Sequence, residues 1–300
     1  MSDTTVADAV DPDDAFAVLS DETRIEIMRA LWATDDRTAA FSELREAVGA
    51  HDSGRFNYHL GKFDGQFVAD DDDGYRLTTA GTQLVGALLS GAYTKTVDVG
   101  TIDVNDDCQK CGSPLQFAYE EGTATVSCDN CPHVTRFWIP PGAFAGYDTD
   151  ELPQVAARYG RRFVRSSRDG FCPLCDGQVR ATVLPIVETI RGDLAELPEI
   201  PAWVEQVPTC EFDCDRCGER TVVDLGTALS EHPAVVSFHY ERGVDVTAVP
   251  IWHRQALDTD SVRFERRDPV RASVSYEIDG DELTVTVDES LSVVETAIGE

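Results

Sequence analysis

The 300-residue chain is long enough for two or three domains, and its 42% hydrophobic and 27% charged residues are ordinary for a globular protein. Its charge is not: 55 acidic residues stand against 25 basic ones, for a formal net charge of -30, and only Lys62, Lys95 and Lys110 are lysines. The excess runs along the whole chain, which excludes a simple acidic tail and predicts a cytoplasm at molar salt, where the Debye length shrinks to about 3 Å and self-repulsion is screened.

The opening "MSDTTVADAVDPDDAF" lacks a charged-then-apolar signal segment, and the best apolar stretch, Leu84 to Ala92, is too short to span a bilayer and carries Gly and Ser. A cytoplasmic protein with no membrane partner is expected. In that reducing setting the nine cysteines point to metal ligands in preference to disulfides.

Residues 1–12 read as an acidic, disordered lead. Residues 13–98 then alternate helical periodicity with one hairpin signal. Asp21 is a candidate N-cap for a helix reaching Trp32, with Ile25, Met28, Leu31 and Trp32 on one side and Ile27 flanking them. A short helix follows in "SELREAVG", with Ser42 as cap, Glu43 in its first turn and Gly49 as its stop. In "HDSGRFNYHLGKF", a turn of about 100° per residue puts Phe56, Leu60 and Phe63 on one narrow face with His59 beside them. Arg55, Asn57, Tyr58, Gly61 and Lys62 take the remaining surface. "QFVADDDDGYRLT" reads as two short strands around Asp73-Gly74, a two-residue hairpin signal. The apolar-faced helix "TAGTQLVGALLSGAYT" closes the segment.

That order of helices and hairpin is the order of a winged helix-turn-helix. The stretches "LSDETRIEIMRALW", "FSELREAVG", "DSGRFNYHLGKF" and "YRLTTAG" resemble the ArsR-type regulators of haloarchaea over residues 13–98. The resemblance implies a repressor or activator that binds double-stranded DNA, usually as a homodimer through its flanking helices. It implies that Ser53, Arg55, Asn57 and Tyr58 face the major groove, and that Lys62 and Arg76 contact phosphates. The founding arsenic sensors bind metal through cysteines in this region. Residues 13–98 contain no cysteine, so thiolate sensing at that site is excluded.

Residues 105–142 form a compact cysteine-rich segment. Cys108 and Cys111, then sixteen residues, then Cys128 and Cys131 have the spacing of a zinc ribbon, with "PLQFAYEEGTATVS" as strand, turn and strand. Residues 150–300 hold a second unit, in which Cys172 and Cys175 are followed by Cys214 and Cys217 with 38 residues between the pairs. The longer loop costs only about 0.8 kcal/mol more to close. A structural zinc site contributes roughly 10 kcal/mol or more, so the insertion is no obstacle. Four thiolates leave no open position for water, so two structural Zn2+ sites are expected, with rubredoxin-like iron as the competing metal. Cys210 lies in an alternating run, "TCEFDC", and reads as a small buried strand residue or a redox-sensing thiol. His133 reads as a surface residue.

Between the two units, "DELPQVAARYGRRFVRSS" predicts a helix with Leu152, Val155, Ala156, Tyr159 and Phe163 on one side. Its arginines (Arg158, Arg161, Arg162, Arg165 and Arg168) either pair with nearby carboxylates or contact nucleic acid. "AVVSFHY" reads as an apolar strand and "ASVSYEIDGDELTVTVDE" as a hairpin. The stretch "HPAVVSFHYERGVDVTAVPIW" resembles the zinc-ribbon domain that accompanies the haloarchaeal winged helices. No catalytic constellation stands out, so an enzyme is not expected.

The expected architecture is α+β: a winged helix-turn-helix, two four-cysteine zinc ribbons and a strand-rich C-terminal domain. The expected function is sequence-specific transcriptional regulation, with the ribbons serving effector, dimer or protein contacts. The second expectation is a basal factor or adaptor that engages RNA polymerase, because winged helix followed by ribbon also resembles the archaeal factor TFE.

Overall fold

A computed structural model of the chain describes residues 10–63, 65–72, 74–109, 111–131, 134–189, 206–253 and 261–299. Most of the lead (1–9), Asp73 of the hairpin signal and His133 lie outside the described residues. The chain divides into two compact units, Met1–Thr96 with Pro140–Gly142, and Val97–Ile139 with Ala143–Glu300.

The first unit is mainly helical. Helix α1 (Pro12–Leu19) starts inside the expected lead, because Asp11 accepts the Asp13 N–H at 2.9 Å and Pro12 fills the first turn. Helix α2 (Glu22–Trp32) is capped by Asp21 as expected, through the Thr23 N–H at 2.9 Å. Its buried stripe is Ile27, Met28 and Leu31, while Ile25 and Trp32 are half-buried. Trp32 stays at the margin, where the Arg37 guanidinium lies 4.1 Å from its ring centroid.

Strand β1 (Thr38–Ala39) leads into α3 (Phe41–Ala47). Ser42 is not the cap. The cap position is Ala40, whose N–H donates to the Glu43 carboxylate at 3.0 Å. Phe41 joins the helix because its ring packs edge-on against Phe56, 5.3 Å between centroids. Gly49 stops the helix as expected, with φ +69° and its N–H bonded to the Glu46 carbonyl at 2.9 Å.

Helix α4 (Ser53–Gly61) is followed by strands β2 (Val68–Asp71) and β3 (Gly74–Leu77), then α5 (Thr79–Leu89). The strands form one antiparallel sheet in the order β1-β3-β2. The pairing Asp71↔Gly74 makes Gly74 the first residue of β3 and not a turn residue. Gly74 has φ +120°, and a Cβ there would meet the Ala39 carbonyl oxygen at 2.6 Å, so glycine is required by the close passage of β1. Phe56, Leu60, Phe63, Leu77 and Val85 complete one core with the α2 stripe.

The second unit begins with a four-stranded antiparallel sheet, β4 (Val99–Asp107), β5 (Pro114–Glu120), β6 (Thr123–Cys128) and β7 (Val134–Trp138), in sequence order. The β5–β6 turn is Glu121-Gly122, both with positive φ, as the hairpin reading requires. Helix α6 (Leu152–Arg168) presents Leu152, Val155, Ala156 and Ala157 to this sheet's core, which Trp252 also enters.

A three-stranded sheet follows, with order β10-β9-β8, from β8 (Val179–Pro185), β9 (Pro208–Cys214) and β10 (Arg220–Asp224). Helix α7 (Ile186–Thr189) follows β8, and α8 (Leu225–Leu229) follows β10. The expected strand "AVVSFHY" is instead helix α9 (Pro233–Glu241). Val235, Phe238 and His239 are its buried residues, and that spacing of three and four is helical. His232 caps it and Pro233 opens its first turn.

Strands β11 (Val262–Arg267), β12 (Val270–Ile278), β13 (Asp281–Asp288) and β14 (Val293–Gly299) form an antiparallel meander. The β12–β13 hairpin turns on Asp279-Gly280, as expected. Val274, Tyr276, Leu283 and Val285 share a core with α8 and α9.

Candidate functional site

Three of the cysteine pairs show the backbone bonds of a tight knuckle. At the first, the Cys108 N–H donates to the Ser113 carbonyl at 2.8 Å and the Gly112 N–H to the Cys108 carbonyl at 2.7 Å. Cys172 repeats this with Gly177 and Asp176, at 2.8 and 2.9 Å, and Cys214 with Glu219 and Gly218, at 2.9 and 3.0 Å. The residue after the second cysteine has positive φ in these three knuckles: Gly112, Asp176 and Gly218. That left-handed residue turns the chain back so that the strand resumes beside the thiols.

The cysteine pairs converge as expected. Cys108 lies 3.6 Å from Cys131 and Cys111 lies 3.4 Å from Cys128, sulfur to sulfur. Cys172 lies 3.7 Å from Cys217 and Cys175 lies 3.5 Å from Cys214. Within each group all four sulfurs lie within 4.8 Å of one another, and either group could hold a metal ion. A tetrahedron with bonds of about 2.3 Å has edges of about 3.8 Å, so both sets fit a zinc-sized ion. Both groups also share a burial pattern: two buried thiols, one half-buried and one exposed.

Local dipoles favour thiolates at two ligands. The backbone N–H and hydroxyl of Ser113 lower the Cys111 thiol pKa to about 6. The backbone N–H of Cys217, with that of Arg216, lowers Cys214 to about 6. Sequence reasoning missed Gly177. A Cβ there would stand 3.1 Å from the sulfurs of Cys175 and Cys214 and 2.9 Å from Arg216 Cβ, so the second cluster closes only around a glycine. Its signal was a glycine two residues past the second cysteine of a knuckle.

Cys210 is fully buried in β9, and burial pushes its thiol pKa up, which suppresses the reactive thiolate. It is a packed strand residue. The α6 arginines divide. Arg165 and Arg168 approach Glu231 at 3.4 and 3.8 Å, Arg158 and Arg162 lie over the rings of Tyr147 and Tyr159, and Arg161 donates to the Val249 carbonyl at 2.7 Å.

In the first unit, α4 buries Phe56, His59 and Leu60 and exposes Ser53, Arg55, Asn57, Tyr58, Gly61 and, just past its end, Lys62. Helical spacing sorts the exposed residues into two rows, Arg55–Tyr58–Lys62 on one flank and Ser53–Asn57–Gly61 on the other. The Tyr58 side chain is 58% exposed although it is a large aromatic, and the Lys62 ammonium lies 5.2 Å from its ring centroid. His59 is packed, with Nδ1 3.5 Å from the Asp21 carboxylate. Arg76 is on β3, exposed, and held by Asp71 at 2.7 Å. No described helix is long and apolar enough to cross a membrane.

These features define a mixed α+β protein, helical at its N-terminal end and strand-rich beyond, with two four-cysteine clusters. The chain belongs to the family described as Domain of unknown function (DUF7351), which matches residues 105–293 and so takes in both clusters. Residues 12–88 match a second family, Domain of unknown function (DUF7347). Comparison with curated proteins and with solved structures gave no match.

Proposed function

We propose that the protein is a sequence-specific DNA-binding transcriptional regulator, its first unit an ArsR-like winged helix-turn-helix and its two cysteine clusters structural zinc sites. The observation that carries this reading is the solvent-facing side of α4. Arg55, Asn57 and Tyr58 stand exposed on a helix whose opposite side is locked into the core by Phe56 and Leu60. Arginine and asparagine are the side chains that make bidentate contacts with base edges, and an exposed tyrosine supplies apolar and hydroxyl contact. The β2–β3 hairpin is the wing.

Zinc at the clusters supplies folding energy and no chemistry, because four sulfurs close the coordination shell. Arg76 supports the helix from the wing as a phosphate contact, although its exchange from Asp71 limits the gain. The active form is a homodimer.

A second reading, a basal factor that engages RNA polymerase, is favoured by one observation: a helical unit is followed directly by a four-cysteine sheet. Genome-wide mapping of bound sites in cells grown at high salt separates the two. The regulator occupies a few discrete peaks sharing one motif. Enrichment at most promoters, with no motif, overturns it in favour of the basal factor.

A further inference from the structure

The second unit carries a part-open cavity of about 210 Å³. Its walls come from segments far apart in sequence: Gln109 in the first knuckle, Arg161 in α6, Thr227 in α8, His239 in α9, the 244–251 loop, and Tyr276 in β12. That is well above the roughly 10–15 Å³ of such space that one water needs, and leaves room for a small molecule.

Most of its polar groups are already engaged. Tyr276 donates to the Gly226 carbonyl at 3.0 Å and Ser230 to the Thr227 carbonyl at 2.9 Å. The His239 Nδ1–H donates to the Val235 carbonyl at 2.7 Å, and His253 meets the Asp106 carboxylate at 2.5 Å. The Asp224 carboxylate accepts from the Thr227 N–H at 2.8 Å and hydroxyl at 2.6 Å.

Arg161 is less fully engaged. It is half-buried, its one hydrogen bond to a described residue goes to the Val249 carbonyl, and it makes no ion pair with a described residue. Its neighbours in the same helix, Arg165 and Arg168, take Glu231. Burial weighs against its charge, with Glu231 and Asp245 opposing that effect from longer range. A guanidinium carries five donors in a planar fork that matches a carboxylate, and four of these meet no hydrogen-bond acceptor among the described residues. Beside it, Val246, Val249, Ile251 and Ile278 make an apolar wall.

We propose that this cavity binds a small monocarboxylate with a branched or aromatic body, its carboxylate on Arg161 and its body against the Val246–Ile278 wall. Asp224 in the same lining disfavours a second negative charge, so dicarboxylates and phosphate esters are excluded. The proposal goes beyond the DNA-binding reading and stands without it.

The test is calorimetric titration of the full chain at molar KCl with benzoate and isovalerate, and with their neutral amides benzamide and isovaleramide. At least one acid binds with one site per chain, and its amide binds at least tenfold more weakly. Arg161→Gln weakens the acid at least tenfold. Val246→Trp, on a half-buried loop position, fills the cavity and abolishes binding, and it carries the test if Arg161→Gln misfolds by circular dichroism. The proposal is overturned if neither acid binds the native chain, if amides bind as tightly as acids, or if Val246→Trp keeps native affinity.

Discussion

Asp52 stands one residue ahead of α4, and its carboxylate accepts the N–H groups of Gly54 at 2.8 Å and Arg55 at 3.0 Å. Those two backbone bonds, Arg55 first, hold its carboxyl below the usual aspartate value. A pKa lowered by folding contributes stability that is complete above the unfolded value, about 3.9, and is lost as pH falls through the folded one. Asp52→Ala is therefore less stable than the native chain at pH 7, and the gap narrows below pH about 4. Asp52→Asn keeps most of the cap. Denaturant midpoints at two pH values check this; a gap that does not narrow in acid would remove the carboxylate from the account. Gly177 offers a second residue-scale check. Gly177→Val pushes a branched side chain against two sulfurs, so the chain should retain one metal ion in place of two by elemental analysis. Retention of two would show that the second cluster has slack.

At the scale of elements, local spacing was legible and assembled pairing was not. The CxxC knuckles could be read because each needs only four consecutive residues, and the α4 face because its period is unbroken. The strand reading of "AVVSFHY" weighed β-branched residues above period, although His232-Pro233 was a helix start and Val235, Phe238 and His239 had helical spacing. The buried stripe of α2 was misplaced by one position because Trp32 looks like core, yet Arg37 holds it at the margin. The ring pair of Phe41 and Phe56, which draws α3 forward to Phe41, joins residues from different helices and leaves no local trace. The cavity around Arg161 was invisible for the same reason: its walls come from stretches of chain far apart in sequence. The sheets give an element-scale prediction. A structural zinc site is worth roughly 10 kcal/mol or more, comparable to the roughly 5–15 kcal/mol stability of a whole domain. Chelation should therefore unfold the strand-rich unit while helical circular dichroism from the first unit persists. Loss of both signals together, or of neither, would contradict this.

For the whole molecule, the net charge of -30 and the proposed DNA-reading role of α4 are compatible only if affinity does not rest on phosphates. Molar salt screens distant carboxylates, and it also removes most of the counterion-release gain that ordinary basic regulators use. Asp70, Asp71 and Asp72 at the hairpin tip further weaken any phosphate grip by the wing. What is left is contact with base edges and groove shape, and that demand falls on Arg55, Asn57 and Tyr58. The direct measurement is selection of bound duplexes from a random pool at molar KCl, run in parallel with the native chain and with Asn57→Ala. The native chain should enrich one motif, and the variant should lose preference at a discrete base position, with about 1–3 kcal/mol less discrimination there. Enrichment of no motif, or of the same motif at the same strength by both proteins, would contradict the assignment of base reading to α4.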